Sequence, residues 1–186
     1  MEQQFSKQEG WDARAEEFSK VNGDKYHEAF GKFEPAGTNE EVAAQVQAIL
    51  EKHASGNFTP DVLKTLHGVI DLTSLTSLDT KESIWKMTDG VNDFEGTRPD
   101  VPNVAAICVY PYFVGTVKQA LTAQNVNIAA VSGGFPASQT FTEIKVAETA
   151  MCVMEGADEI DVVINLGCFM EENYEDLCDE LQEIKD

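Results

Sequence analysis

Four short apolar runs, rich in β-branched residues, recur along the chain. They are Val69-Ile70-Asp71-Leu72-Thr73, Asn103-Val104-Ala105-Ala106-Ile107-Cys108-Val109-Tyr110, Asn127-Ile128-Ala129-Ala130-Val131 and Glu159-Ile160-Asp161-Val162-Val163-Ile164-Asn165. None alternates strictly between apolar and polar positions, so each reads as a strand buried on both faces, as in a parallel sheet. Apolar residues at helical spacing fill the intervals: Ile84, Met87 and Val91, then Phe113, Val117, Ala120 and Leu121. Ile144, Ala147, Met151 and Met154 form the strongest such stripe, closed by Gly156, and Tyr174, Leu177, Cys178, Leu181 and Ile184 form the last. The order is strand then helix, four times, which predicts an α/β fold with crossover connections.

Upstream, Thr38-Asn39-Glu40-Glu41 has the form of a capping box, followed by Val42, Val46, Ile49 and Leu50 at helical spacing, with Gly56 available as a stop. Thr59 and Pro60 suit the cap and first position of a second helix carrying Val62, Leu63 and Leu66. Residues 1–37 show little periodicity and are interrupted by Gly10, Gly23, Gly31 and Gly37. The expected organisation is therefore a partly helical N-terminal extension, residues 1–59, followed by strand–helix units over residues 60–186.

Length bears on which α/β architecture this is. An open doubly wound sheet is complete with four or five strands. A (β/α)₈ barrel takes about 250 residues, roughly 30 per unit, so this chain of 186 residues would supply four units and lack about 120 residues. Pattern alone leaves the two level.

Composition narrows function mainly by exclusion. Thirteen Lys+Arg face 33 Asp+Glu, for a formal charge of −20, and no basic patch is visible, so neither nucleic acid nor an anionic membrane surface is an expected partner. No run of about 18 apolar residues occurs, so no membrane span is expected. The polar start Met1-Glu2-Gln3-Gln4-Phe5 is unlike a secretory signal. Cys108, Cys152, Cys168 and Cys178 form no C-x-x-C pair, and His27, His53 and His67 all lie in the N-terminal third. Buried thiols in a reducing compartment, the cytoplasm, are expected, with no metal site.

Candidate chemistry lies in the strands. Asp161 sits within an apolar run, where a carboxylate must be paired, hydrogen-bonded or neutral. Burial there would raise its pKa toward general acid/base use, and a purely structural role stands level with that reading. Asp71 poses the same question, with Thr73 on the same face two residues on, and there a carboxylate tying down a strand end is the favoured reading over catalysis. Cys108 lies mid-strand with no neighbouring base or cation to activate it. Ser132-Gly133-Gly134-Phe135-Pro136 could let backbone amides approach an anion, but it matches neither nucleotide-loop pattern, and a tight turn is the simpler reading. No lysine falls in a predicted strand. Lys118 and Lys145 lie in helix patterns, where solvated or ion-paired roles are expected.

Together, Ile70-Asp71-Leu72-Thr73, Ala105-Ala106-Ile107-Cys108-Val109-Tyr110-Pro111 and Gly156-Ala157-Asp158-Glu159-Ile160-Asp161-Val162-Val163-Ile164-Asn165-Leu166-Gly167 resemble deoxyribose-phosphate aldolase. Phe135-Pro136 after the third run fits too. The resemblance covers residues 60 to the end and implies the first four units of a TIM (β/α)₈ barrel. It also implies a class I, metal-free and cofactor-free aldehyde-lyase of deoxyribonucleotide catabolism. That family cleaves 2-deoxy-D-ribose 5-phosphate to acetaldehyde and D-glyceraldehyde 3-phosphate through a lysine Schiff base. On that resemblance Asp161 matches the catalytic aspartate, and Asp71, Thr73 and Cys108 match substrate-pocket positions.

Two departures qualify the resemblance. The family's imine-forming lysine lies in a K-T-S-T-G-like strand, and its phosphate-binding glycines follow later; neither segment is present in these 186 residues. Val131-Ser132-Gly133-Gly134-Phe135 also looks one residue longer than the family's usual approach to Phe-Pro. The expectation is an N-terminal half without aldolase activity of its own. Its small phosphorylated sugar substrate would be handled by the complete enzyme, and a homo-oligomer is left open. The competing expectation is a non-catalytic half-barrel module that self-associates or binds a partner.

Overall fold

Asp71 to Ser74 begins a four-stranded parallel sheet whose spatial order, β1-β2-β3-β4, is also its chain order. In this computed structural model the described residues are 37–186 together with Tyr26, Ala29, Gly31 and Lys32. The short helical pieces expected before Gly37 lie largely outside them.

The chain divides into two units, Met1–Gln45 and Val46–Asp186. Within the first, the capping box forms as the sequence indicates: the Thr38 amide donates to Glu41 Oε2 at 2.8 Å and the Glu41 amide donates to Thr38 Oγ1 at 3.2 Å. Helix α1, Asn39–His53, starts there and runs into the second unit; none of its residues is buried.

The second unit holds the remaining elements. Helix α2, Pro60–His67, has Thr59 as its N-cap, accepting from the Val62 amide, and Pro60 at its start. Strand β1, Asp71–Ser74, leads to helix α3, Lys81–Thr97, opened by a reciprocal Thr80–Ser83 capping box. Strand β2, Ala106–Val109, leads through a short 3₁₀ turn, Pro111–Phe113, into helix α4, Val114–Ala120. Strand β3, Asn127–Ser132, precedes helix α5, Thr142–Glu155, and strand β4, Glu159–Val162, precedes helices α6, Leu166–Met170, and α7, Tyr174–Lys185. Among the described residues no helix is long and apolar enough to cross a membrane.

The strands are shorter than the apolar runs. Val69 and Ile70 precede β1 and are exposed, and Val163 to Asn165 leave β4 before α6. Helix α6 was not expected: Asn165 caps it, its side chain accepting from the Gly167 and Cys168 amides, a terminus signal hidden inside an apolar run.

Register separates the two faces of the sheet. Asp71 pairs with Ala106, Thr73 with Cys108, Cys108 with Ala129, and Val131 with Asp161. The alternate residues Ile107, Val109, Ile128 and Ala130 point to the helices, where they bury with Ile84, Val91, Val114, Val117 and Cys152. Each large aliphatic side chain so buried contributes about 1.5–3 kcal/mol. The opposite, inner face holds a second and smaller cluster, Ala106, Cys108, Ala129 and Val131, with Leu75, Tyr110 and Phe135 packed on it.

Tyr174 apart, which is exposed, the stripes of α3, α4 and α7 face inward, with Ile84, Val91, Phe113, Val117, Ala120, Leu177 and Ile184 buried. That of α5 does not. Ile144, Met151 and Met154 are exposed, while Lys145 and Cys152, seven residues apart, are buried on the inward side. Two buried anchors override the broader apolar stripe because the lysine finds hydrogen-bond partners, Ser138 and Glu180, on that side.

Candidate functional site

The inner face gathers all four residues singled out from the sequence. Asp71 and Thr73 stand on β1, Cys108 beside Thr73 on β2, and Asp161 on β4. Strand β3 lies between the last two and presents Ala129 opposite Cys108. Because that residue is only a methyl, the Cys108 thiol reaches over β3 and donates to Asp161 Oδ2 at 3.4 Å. The Thr73 hydroxyl donates to the Asp71 carbonyl at 2.9 Å. An open cavity of about 620 Å³ lies here, with Thr73, Leu75, Cys108, Val131, Phe135 and Asp161 in its wall. Asp71 shares the face without lining that cavity.

Asp161 differs from expectation in one respect. It is exposed, not enclosed in the sheet. β4 is an edge of the described sheet and its inner face is open, so the strand's apolar residues Ile160 and Val162 turn toward the helices and the carboxylate turns into the trough. No burial penalty has to be met by a partner.

The electrostatics of the face are acidic. Partial burial, then the carboxylates of Glu159 and Asp161, push the Asp71 carboxyl above the usual carboxylate range. Burial, then the hydrogen bond to Asp161 and the charge of Asp161, push the Cys108 thiol up to about 12. Cys108 is thus an inert thiol at neutral pH. Glu159 was missed in the sequence, although its place two residues before Asp161 puts it on the same face. It is anchored by Asn127, whose side-chain amide donates to Glu159 Oε1 at 2.6 Å. Among the described residues no lysine or arginine lines the cavity. Among the described residues no group of His, Cys, Asp and Glu is arranged to hold a metal ion.

The Ser132-Gly133-Gly134 turn is a tight connection in which groups of Ser132 and Gly134 are already engaged. The Gly134 amide donates to Glu148 Oε2 at 2.9 Å, and Ser132 Oγ lies 2.6 Å from Thr149 Oγ1. Gly133, at φ 80°, abuts β4, so a Cβ there would stand 3.0 Å from the Val163 carbonyl oxygen. A second cavity, about 670 Å³, lies on the helical side between α4 and α5, walled by Tyr112, Gly115, Ile144 and Met151. It contains none of the four candidate residues.

No protein-family model matches the chain. Curated relatives do. The deoxyribose-phosphate aldolase of Thermococcus kodakarensis is 35% identical over 116 residues, 62% of this chain and 48% of that protein. The deoxyribose-phosphate aldolase of Aciduliprofundum boonei is 37% identical over 105 residues, 56% of this chain and 43% of that protein. Among solved structures, an aldolase designated QR15 shares 30% identity with a TM-score of 0.55, over 63% of this chain and 48% of its own. Over the matched residues the chain is similar to the N-terminal region of deoxyribose-phosphate aldolases.

The chain spans about half the length of the curated deoxyribose-phosphate aldolases it matches. The match falls on an N-terminal region of the aldolases. Its four consecutive parallel strand–helix units are accordingly a partial (β/α)₈ barrel, which decides between the two architectures that pattern left level. In such a barrel the sheet face opposite the helices is the barrel interior, the face on which Asp71, Thr73, Cys108 and Asp161 stand.

Proposed function

We propose that this chain supplies the N-terminal half of a deoxyribose-phosphate aldolase site, with Asp161 as its proton-handling carboxylate. The observation that supports the reading most is the meeting of Cys108 and Asp161 over Ala129, with Thr73 beside them, on the interior face of a partial barrel whose relatives are aldolases. The substrate class is a small phosphorylated sugar, 2-deoxy-D-ribose 5-phosphate.

In the proposed reaction a lysine amine adds to the sugar's aldehyde carbon and water leaves, giving an iminium. The hydroxyl on the third carbon then gives up its proton. The electrons of the bond between the second and third carbons flow into the iminium, and D-glyceraldehyde 3-phosphate departs. Protonation of the resulting enamine and hydrolysis release acetaldehyde. Asp161 serves the proton transfers, directly or through one water. Thr73 supplies a hydroxyl to the substrate, Asp71 sets the acidic end of the trough, and Cys108 holds the Asp161 carboxylate in place.

The lysine, and the cations that neutralise the phosphate, belong in this reading to polypeptide beyond these 186 residues. The 186-residue chain alone is therefore inactive. Borohydride reduction in the presence of acetaldehyde tests this: the expected result is no lysine-specific ethyl adduct by peptide mapping. One stoichiometric adduct on a single lysine would overturn the reading. A cytoplasmic location belongs to the same proposal.

A second reading is favoured by the unpaired outer edges of β1 and β4 in the described sheet. On it the chain is a non-catalytic half-barrel that self-associates through those edges. A cooperatively unfolding dimer that binds no sugar phosphate would favour this second reading over the first.

A further inference from the structure

Lys145 is the largest fully buried side chain among the described residues, and none of the four candidate site residues is among the hydrogen-bond partners of its amine. Its ammonium has three N–H donors and meets three acceptors: Ser138 Oγ at 2.8 Å, Glu180 Oε1 at 2.7 Å and Glu180 Oε2 at 2.7 Å. Glu180, on α7, also accepts from Thr142 Oγ1 at 3.3 Å. Ser138 is itself fully buried, and its amide donates to the Gly134 carbonyl at 2.9 Å, closing the loop that carries Phe135. The other end of that loop is held by the same helix, since Glu148 accepts from the Gly134 amide at 2.9 Å. Helix α5 thus grips both ends of a five-residue loop, once with a carboxylate and once with an ammonium. Phe135 in turn packs over the Cys108 cluster, edge-on to Tyr110 with ring centroids 5.8 Å apart, and walls the inner-face cavity.

We infer that Lys145 is a positioning residue: by tying Ser138 to Glu180 it fixes the Phe135 wall of the inner-face site and couples that wall to helix α7. A buried ammonium with all three protons engaged is expensive to rearrange, so the loop has one well-defined place. Were the ion pair only a fastening between α5 and α7, Glu180 alone would serve, and Ser138 would need no buried hydroxyl turned to the amine. The consequence for catalysis rests on the aldolase reading; the mechanical claim does not.

Cys108, lying under Phe135, reports the position of the wall. The test compares the 186-residue chain with Lys145→Met/Glu180→Met, which removes both charges together and leaves no unpaired buried ion. Far-UV circular dichroism establishes folding. Iodoacetamide labelling of Cys108 at pH 9, followed by peptide mapping, reads the wall, and amide exchange over residues 133–141 reads the loop. With the dichroism unchanged, we expect Cys108 labelling to rise about tenfold and loop protection to fall about tenfold, as for a local opening. If either readout is unchanged in the folded double variant, the inference is overturned. Should that variant not fold, Ser138→Ala decides by the same two readouts, because it removes only the loop's acceptor and keeps the ion pair. No sugar substrate enters these measurements. A lysine adduct in the borohydride experiment would remove the aldolase reading and leave this result standing.

Discussion

At the scale of single residues, the Cys108–Asp161 contact makes a prediction in pH. The thiol's pKa stands at about 12 in the folded chain against an ordinary 9.0, so the folded state holds the thiol proton more tightly than the unfolded one. The stability this confers is fully present below pH 9 and is lost as pH rises from there toward 12. At pH 8 the folded thiolate fraction is about a thousandfold below that of an unperturbed thiol, so Cys108 labelling should be slower by about that factor than in the chain unfolded in urea. Asp161→Asn removes the second and third causes of the shift but not burial, which is the first. The apparent pKa from the pH–rate profile should then fall while staying above 9. An identical profile in the two proteins would show that Asp161 does not govern the thiol. Asp71, Cys108 and Asp161 stood out in the sequence because a carboxylate or thiol within an apolar run is conspicuous, and Thr73 because it lies two residues from Asp71 on the same face. The exposure of Asp161 was not, because an apolar run is the same string whether the strand is central or at an edge. Glu159 went unread for a related reason: charged residues at the start of a run look like its boundary.

At the scale of elements, helix starts and stops were the most readable features. Thr38, Thr59 and Pro60 act as their residue types predict, and Gly156 ends α5 in the left-handed conformation at φ 107°. That glycine supports a second prediction. Gly156→Ala would place a Cβ in a conformation that side chains avoid, 3.1 Å from the Lys118 side chain, whose flexible end can move. The strain that remains is mainly backbone, so the variant should lose about 1–2 kcal/mol in urea unfolding. A loss below about 0.5 kcal/mol would mean the end of α5 re-forms without the left-handed residue. What the sequence could not convey was the orientation of α5. Its apolar stripe of Ile144, Ala147, Met151 and Met154 satisfies helical periodicity better than the face that packs, which Lys145 and Cys152 lead. Periodicity measures the contrast between faces, whereas packing is decided here by where a lysine finds three acceptors. Those acceptors come from residues seven and 35 positions away, and the carboxylate of Glu180 lies beyond the reach of any local window.

At the scale of the whole molecule, the acid excess acquires a location. Part of the formal −20 stands on the inner face as Asp71, Glu159 and Asp161, and Asp71 responds to the other two. An open inner face flanked by two strand edges is a template for pairing with another chain. Like charges oppose that pairing between copies, because stacking two inner faces would bring six carboxylates together and desolvate them. Self-association of the 186-residue chain should therefore be held back at pH 7 and grow as the solution is made acidic, where Asp71, held above the usual carboxylate range, protonates more readily than an ordinary carboxylate. Sedimentation velocity from pH 7 into acid measures it. General loss of net charge would also favour association at low pH, so the decisive comparison is made at pH 7 with Asp71→Asn/Glu159→Gln/Asp161→Asn. That triple variant changes the formal charge by only three and leaves the rest of the surface alone. If the inner-face carboxylates are what keep copies apart, the variant associates at pH 7 to an extent the parent chain reaches only in acid. If parent and variant sediment alike at pH 7, the inner face is not the contact between copies.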